Sequence, residues 1–293
     1  MHRNKELNCL PVRISSGKVR EIYEAGNKRL FIITSYRISA FDFIMKTPIP
    51  GKGVLLNQMS LFWFRFLKDC IPTHFLSADP SDFPAPFNAD PDCAGRSMLV
   101  KKLKMLPFEC IVRGYITGSA WSSYQKTGEI CGIHVPAGMQ DSEKFAEPLF
   151  TPSTKAETGH DENVSFDVMA SKLGQTLAEQ VRDATIAGYT KAAEYALTRG
   201  IIIADTKLDF GLDESGRLGL ADDVLTPDSS RFWSAEDYAV GRGQASFDKQ
   251  YLRDWLKANH LAGVEPAPEL PLEVIQATHA KYQEAFDRLT ASR

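Results

Sequence analysis

From Lys18 to Glu24 and from Arg29 to Thr34 the chain reads as strand, and Ala25-Gly26-Asn27 between them marks a hairpin. The pattern changes near Gly53. Leu55, Leu56, Met59, Phe62, Trp63 and Phe66 recur at helical spacing, and these aromatic residues read as core. Residues 72–95 carry Pro72, Pro80, Pro84, Pro86 and Pro91 and predict an irregular segment. Strands are expected at Ser97–Lys101 and Glu109–Arg113, followed after a further connection by a loop over 134–163. Helical periodicity then runs from Phe166 to Thr198, with Asn163 or Ser165 as N-cap and Gly200 as the stop. Gly174 and Gly188 inside that run predict two helices or a bend. A strand-rich stretch, Ile201–Ala221, precedes helices near Asp248–Asn259 and Leu272–Leu289. The expected architecture is α+β: a small antiparallel β-rich domain over 1–113 and a larger α+β domain over 114–293.

Composition narrows the functional classes. The 293 residues are 43% hydrophobic and 24% charged, ordinary for a globular chain, and the net charge of −3 provides no broad basic field for nucleic acid. Cys9, Cys70, Cys93, Cys110 and Cys131 form no Cys-x-x-Cys pair and read as reduced thiols. The first residues lack the apolar run of a signal peptide, and no stretch approaches the roughly 18 apolar residues of a membrane span. A cytoplasmic protein acting on small molecules, without nucleic acid or membrane partners, is the expectation. There is no Walker-type phosphate loop and no dinucleotide fingerprint.

The chemistry gathers in five segments. Asp205-Thr206-Lys207-Leu208-Asp209 follows a continuous apolar run, and period-two geometry puts Asp205, Lys207 and Asp209 on one strand face. Acid, base and acid on one face suit an oxygen-loving cation such as magnesium. Asp213-Glu214-Ser215-Gly216 predicts a hairpin turn, so the return strand places Asp222 opposite Asp209 or Lys207, depending on loop length. Either register puts Asp222 on the acidic face and Asp223 on the other. Asp209 and Asp222 are therefore the expected metal ligands.

Gly17-Lys18-Val19-Arg20 enters the first hairpin, and Lys18 and Arg20 are expected to share a face suited to polyphosphate. Ser229, Ser230 and Arg231 within Thr226–Trp233 suit a sugar phosphate, because a guanidinium grips phosphate with two donors. Arg113 ends a strand before a Gly/Thr/Ser loop, Gly114–Ser119, of a kind whose amides bind anions. The polar loop 151–163 brings Lys155, His160 and Asp161.

In this order the segments resemble the SAICAR synthetase (phosphoribosylaminoimidazole-succinocarboxamide synthase) family from about Gly17 to Trp255. The matching stretches are Gly17–Tyr23, Arg37–Asp42, Arg113–Ser119, Asp205–Gly211 and Thr226–Trp233. The resemblance implies a two-lobed ATP-binding fold and a ligase. ATP, L-aspartate and the carboxylated aminoimidazole ribonucleotide CAIR give SAICAR, ADP and phosphate, with magnesium as cofactor and an acyl phosphate on the route.

By the same resemblance, Gly17, Lys18 and Arg20 hold ATP phosphates, and Lys104, Met105 and Glu109 lie by adenine. Arg113, Ser119, Ser229 and Arg231 bind the ribonucleotide, and Asp205 and Lys207 work at the imidazole side. Lys155, His160 and Asp161 line the aspartate and metal side, with Lys155 and Asp161 placed beside Asp205 and Lys207 in the catalytic set. A monomer or homodimer is expected. Two positions depart from the family pattern: Tyr36 stands where an Asp is usual, and Asp222-Asp223 where Asp-Glu is usual. A small-molecule kinase would share Lys18 and the Asp209/Asp222 pair but would not need Arg113, Ser119 and Arg231. A non-catalytic nucleotide sensor would not need the acids.

Overall fold

A computed structural model describes residues 11–155 and 161–291. The first sheet is antiparallel and ordered β1-β2-β3-β7-β6. Its strands are β1 (Arg13–Ser16), β2 (Arg20–Glu24), β3 (Arg29–Thr34), β6 (Phe75–Ser77) and β7 (Ser97–Lys101). The hairpin β2–β3 forms around 25–28 as the sequence predicts, and β1 precedes it, so Gly17–Val19 is a turn rather than strand. A short pair, β4 (Ser39–Ala40) with β5 (Phe43–Ile44), leads into α1 (Lys52–Leu67). Helix α1 buries Leu56, Met59 and Trp63 against the sheet and the C-terminal helices, as its periodicity requires.

The second sheet has seven strands and carries the candidate chemistry. Its centre is the pair β9 (Phe108–Tyr115) and β14 (Ile201–Leu212), joined in the register Asp205 with Arg113 and Lys207 with Ile111. The first half of β14 also pairs with β16 (Ser230–Ser234), placing Asp205 opposite Arg231. Its second half lies between β8 (Lys104–Met105) and β15 (Leu218–Ala221). Leu208 and Phe210 point away from the acidic face into the main core. The core continues through α3 (Phe166–Leu173) and α4 (Gln175–Leu197).

Several expectations are corrected. The segment 134–163 is not all loop: it contains β12 (Lys144–Phe150) and β13 (Ser153–Thr154), both paired with β9. Pro148 hid β12, but β12 is an edge strand with a register shift, where proline costs no ladder bond. The loop expected over Gly114–Ser119 is shorter, because β9 runs to Tyr115 and a helix, α2 (Gly118–Thr127), begins at Gly118; a small hairpin, β10 (Glu129–Ile130) with β11 (Ile133–His134), follows it. Gly174 does separate α3 from α4, and Ser165 caps α3 through Val168 N at 3.4 Å. Gly188 breaks nothing; a Cβ there would fall 2.5 Å from Ile71 Cδ1, so the residue is small for packing. The chain closes with α5 (Gln250–Ala258) and α6 (Leu272–Thr290). Among the described residues no helix is long and apolar enough to cross a membrane.

Candidate active site

Asp205 sits mid-sheet with an arginine on each neighbouring strand. Its Oδ2 receives Arg113 Nη1 at 3.2 Å and also Arg231 Nη1. Asp205 is 5% exposed and Arg113 3%, whereas the Arg231 side chain, 26% exposed, meets the same carboxylate from the solvent side. One positive charge is left over, which is the electrostatic requirement for an incoming anion. Arg113 is fixed further by Thr151 Oγ1 at 3.0 Å and Ser119 Oγ at 3.3 Å. Beside Asp205 it is burial that lowers the Arg113 pKa, whereas Asp205 raises that of Arg231.

Two glycines make this cradle possible. At Gly118, φ is +57° and a Cβ would lie 2.4 Å from Arg231 Nη2. At Gly114 a Cβ would lie 2.0 Å from the Tyr189 hydroxyl, which donates to the Ile203 carbonyl at 2.7 Å. Side chains at these positions would push Arg231 and α4 off the sheet.

Further along the same face, Lys207 Nζ reaches Glu109 Oε2 at 2.5 Å and Lys155 Nζ reaches Asp209 Oδ1 at 2.5 Å. The second contact is an ion pair without hydrogen-bond alignment, since the buried Asp209 Oδ1 has no hydrogen-bond partner. Burial pushes the Asp209 pKa up; Lys155 opposes this, and Asp222 and Glu109 add to it. Asp209 is thus a buried carboxylate short of positive charge, with a second acid close by.

Asp222 arrives there by a different route from the one the sequence implied. The pairing is Asp209 with Ala221 and Leu212 with Leu218, so five residues, 213–217, form the loop. In that register a regular strand would turn Asp222 away from the acidic face. The strand ends at Ala221 instead, and Asp222 adopts φ 58°. Arg20 Nη1 then meets Asp222 Oδ1 at 2.5 Å, and Arg20 Nη2 meets Asp223 Oδ1 at 2.6 Å. The side chain of Asp222 is 42% exposed, whereas Asp223 is buried and also bonded by Ser60 and Thr226. The supposed division of the two acids by strand face is therefore wrong; what separates them is how many bonds each already has.

Lys18 and Arg20 do not share a face. Lys18 lies in the turn and pairs with Asp42 at 3.0 Å, while Arg20 reaches across to 222–223. The turn is held by Gly17 N to Arg20 O at 2.8 Å and by Arg37, which donates to the carbonyls of Gly17 at 3.0 Å and Lys18 at 3.2 Å. Lys104 and Met105 are exposed on β8, against the far end of β14 at Gly211 and Leu212. His160 lies outside the described residues.

A cavity of about 280 Å³ is lined by Arg113, Ser119, Asp161, Asp205, Lys207, Ser229 and Arg231. Arg231 and Arg253 line both this cavity and a neighbouring one of about 840 Å³, which extends to Trp121, Gln244 and Lys257. Arg253 on the smaller cavity was missed in the sequence, whereas Ser153 and Asn163 fall within the polar loop 151–163 singled out there. Arg253 is one of two cations on an amphipathic helix, and no local signal distinguishes it from a solvated one. Tyr36, at the departure from the family pattern, turns to the surface: its hydroxyl is 3.4 Å from Asp92 Oδ1 and its ring lies under Arg96.

A mixed sheet face of acids and lysines beside the buried Arg113 and the part-exposed Arg231, next to a turn clamped by Arg37, defines an enzyme that handles phosphorylated, anionic substrates. The chain belongs to the SAICAR synthetase family, whose model matches residues 13–270. It is 54% identical to the phosphoribosylaminoimidazole-succinocarboxamide synthase of Geobacter sulfurreducens, covering 94% of this chain and 93% of that one. With the Cupriavidus necator enzyme of the same name it shares 52% identity over 97% of this chain and 95% of the other. The SAICAR synthase of Saccharomyces cerevisiae, solved in complex with SAICAR, superposes with a TM-score of 0.90 at 45% identity, covering 98% of this chain and 97% of that one. The activity is ATP-dependent ligation of L-aspartate to the carboxylate of CAIR in purine biosynthesis, giving SAICAR, ADP and phosphate.

Proposed function

We propose that the acidic face of β14 and the arginine cradle beside it divide this reaction between them. Arg113, Ser119, Ser229 and Arg231 take the ribonucleotide, chiefly through its phosphate. The observation that carries this is Asp205 held between Arg113 and Arg231 in one buried register. Both guanidinium contacts fall on Oδ2, so Oδ1 is the atom offered to a substrate amino group. Lys207 stands one strand repeat along, near the reacting carboxylate. Releasing Glu109 frees its ammonium to offset charge as the γ-phosphoryl group moves from ATP to the carboxylate oxygen. The aspartate amine then attacks the acyl carbon and expels phosphate. Positioning and charge compensation supply most of the rate, as in other phosphoryl transfers.

Gly17, Lys18 and Arg20 take the ATP phosphates, with Lys104, Met105 and Glu109 on the adenine side. Asp209 and Asp222 hold magnesium. Asp209 Oδ1, which meets Lys155 Nζ, and the half-exposed Asp222 are carboxylate donors of the kind that would suit a hard cation. A magnesium ion held there would supply positive charge to offset the repulsion between the anionic substrates. Lys155 and Asp161 line the aspartate and metal side; His160, assigned with them from the sequence, lies outside the described residues. The two-lobed division near residue 113 belongs to the same reading. Strand β9 crosses that point unbroken.

The division of labour at 222–223 gives a direct test. Asp222→Asn loses turnover by about 100-fold or more at little cost in Tm, because it removes a metal ligand with few structural bonds. Asp223→Asn instead lowers Tm by several degrees, because it weakens a buried carboxylate bonded to Arg20, Ser60 and Thr226. ADP release with CAIR and aspartate, measured beside thermal melts, separates the two; equal effects on both readouts would refute the assignment.

A further inference from the structure

Lys52 opens helix α1, where a lysine would ordinarily be solvated, yet it is completely buried. Its Nζ donates to Asp228 Oδ2 at 2.7 Å and to the Arg37 carbonyl at 3.0 Å. Asp228 is completed by Lys249 Nζ at 3.3 Å and by the Tyr282 hydroxyl at 2.7 Å. Burial lowers the Lys52 pKa to about 8, against the pull of Asp228. Burying an ammonium is expensive, and hydrophobic residues of similar volume would stabilise such a site as well or better. A contribution to stability therefore does not explain it, and its position does.

One side of Lys52 is the Arg37 backbone. The Arg37 side chain clamps the carbonyls of Gly17 and Lys18 in the turn assigned to ATP phosphates. The other side is Asp228, one residue before Ser229 and three before Arg231, in the turn assigned to the ribonucleotide. A second tie runs parallel: Arg20 to Asp223, and Asp223 to Thr226 Oγ1 at 2.5 Å, at the start of the same turn. From these contacts we infer that Lys52 is a positioning residue that couples the nucleotide turn to the ribonucleotide turn, so that each ligand tightens the other through the Arg37–Lys52–Asp228 chain.

This rests on the assignment of the two turns to the two ligands, and adds to it an energetic link between them. Lys52 touches neither ligand in this reading. Ordering the Gly17–Arg20 turn fixes Arg37, and a fixed Arg37 carbonyl holds Lys52 on Asp228. Asp228 in turn fixes the backbone from which Ser229 and Arg231 project. By reciprocity the ribonucleotide returns the same factor to the nucleotide.

The test is calorimetric titration of ADP and of SAICAR, each alone and with the other saturating. In the unmodified protein each ligand tightens the other about 5-fold or more. In Lys52→Met the factor falls below about 2-fold, while Lys249 and Tyr282 still hold Asp228 and keep the chain folded. Tyr282→Phe removes one bond from Asp228 and gives an intermediate factor, and it carries the test should Lys52→Met fail to fold. An undiminished factor in these variants, or none in the unmodified protein, overturns the coupling. Arg231→Ala serves as the control: unchanged SAICAR affinity there would refute the ligand assignment, and the coupling with it. A weakened SAICAR affinity there, with the factor intact in Lys52→Met, would refute the coupling alone.

Discussion

Replacing Asp209 with asparagine lowers turnover by roughly 1000-fold, about 4 kcal/mol, and leaves the fold intact. Asp209 is where the acidic face lacks positive charge: its pKa is raised by burial despite Lys155, and its Oδ1 has no aligned hydrogen bond. An amide of the same shape removes the repulsion with Asp222 and Glu109, so Tm holds or rises in metal-free protein. A residue that would hold the metal is lost at the same time, and with it the charge compensation the metal would supply to the ATP phosphates. SAICAR affinity measured without nucleotide should stay within about 3-fold, because the arginine cradle lies two strand repeats away. A large fall in Tm, or turnover within about 10-fold of the unmodified protein, would show that Asp209 serves structure rather than the metal.

Arg231→Ala raises the KM for CAIR by about 100-fold while the KM for ATP moves by less than about 3-fold. Truncation removes a guanidinium that is anchored on Asp205 and reaches the cavity. It also leaves an unfilled space opposite Gly118, which is shaped by the absence of a Cβ. Arg113 still neutralises Asp205, so the protein folds. Arg231→Lys restores charge but not the two-donor grip, and recovers only part of the affinity. A selective loss of ATP affinity would contradict the cradle.

Which parts of this were readable in the sequence follows from the range of each signal. Asp205, Lys207 and Asp209 were legible because strand alternation is local and Leu208 and Phe210 declare the buried face. Helix α1 was legible from its apolar spacing, and the ordered motifs identified the family. Asp222 was reached by a false register: loop length is not fixed by Ser215-Gly216, and a positive φ at Asp222 overrides alternation. Pro148 concealed an edge strand. Lys52 and Arg253 were invisible for a different reason. Each is one of two cations on its helix, beside Arg65 in α1 and Lys257 in α5, and only packing of distant segments makes one a buried tie and the other a cavity wall. Lys18 and Arg20 misled because a turn, not a strand, carries Lys18.

The most direct measurement is anomalous scattering from manganese in crystals grown with a non-hydrolysable ATP analogue. A peak within coordination distance of carboxylate oxygens of both Asp209 and Asp222 is the result predicted. A peak on Asp223, or one remote from Asp209, would contradict it.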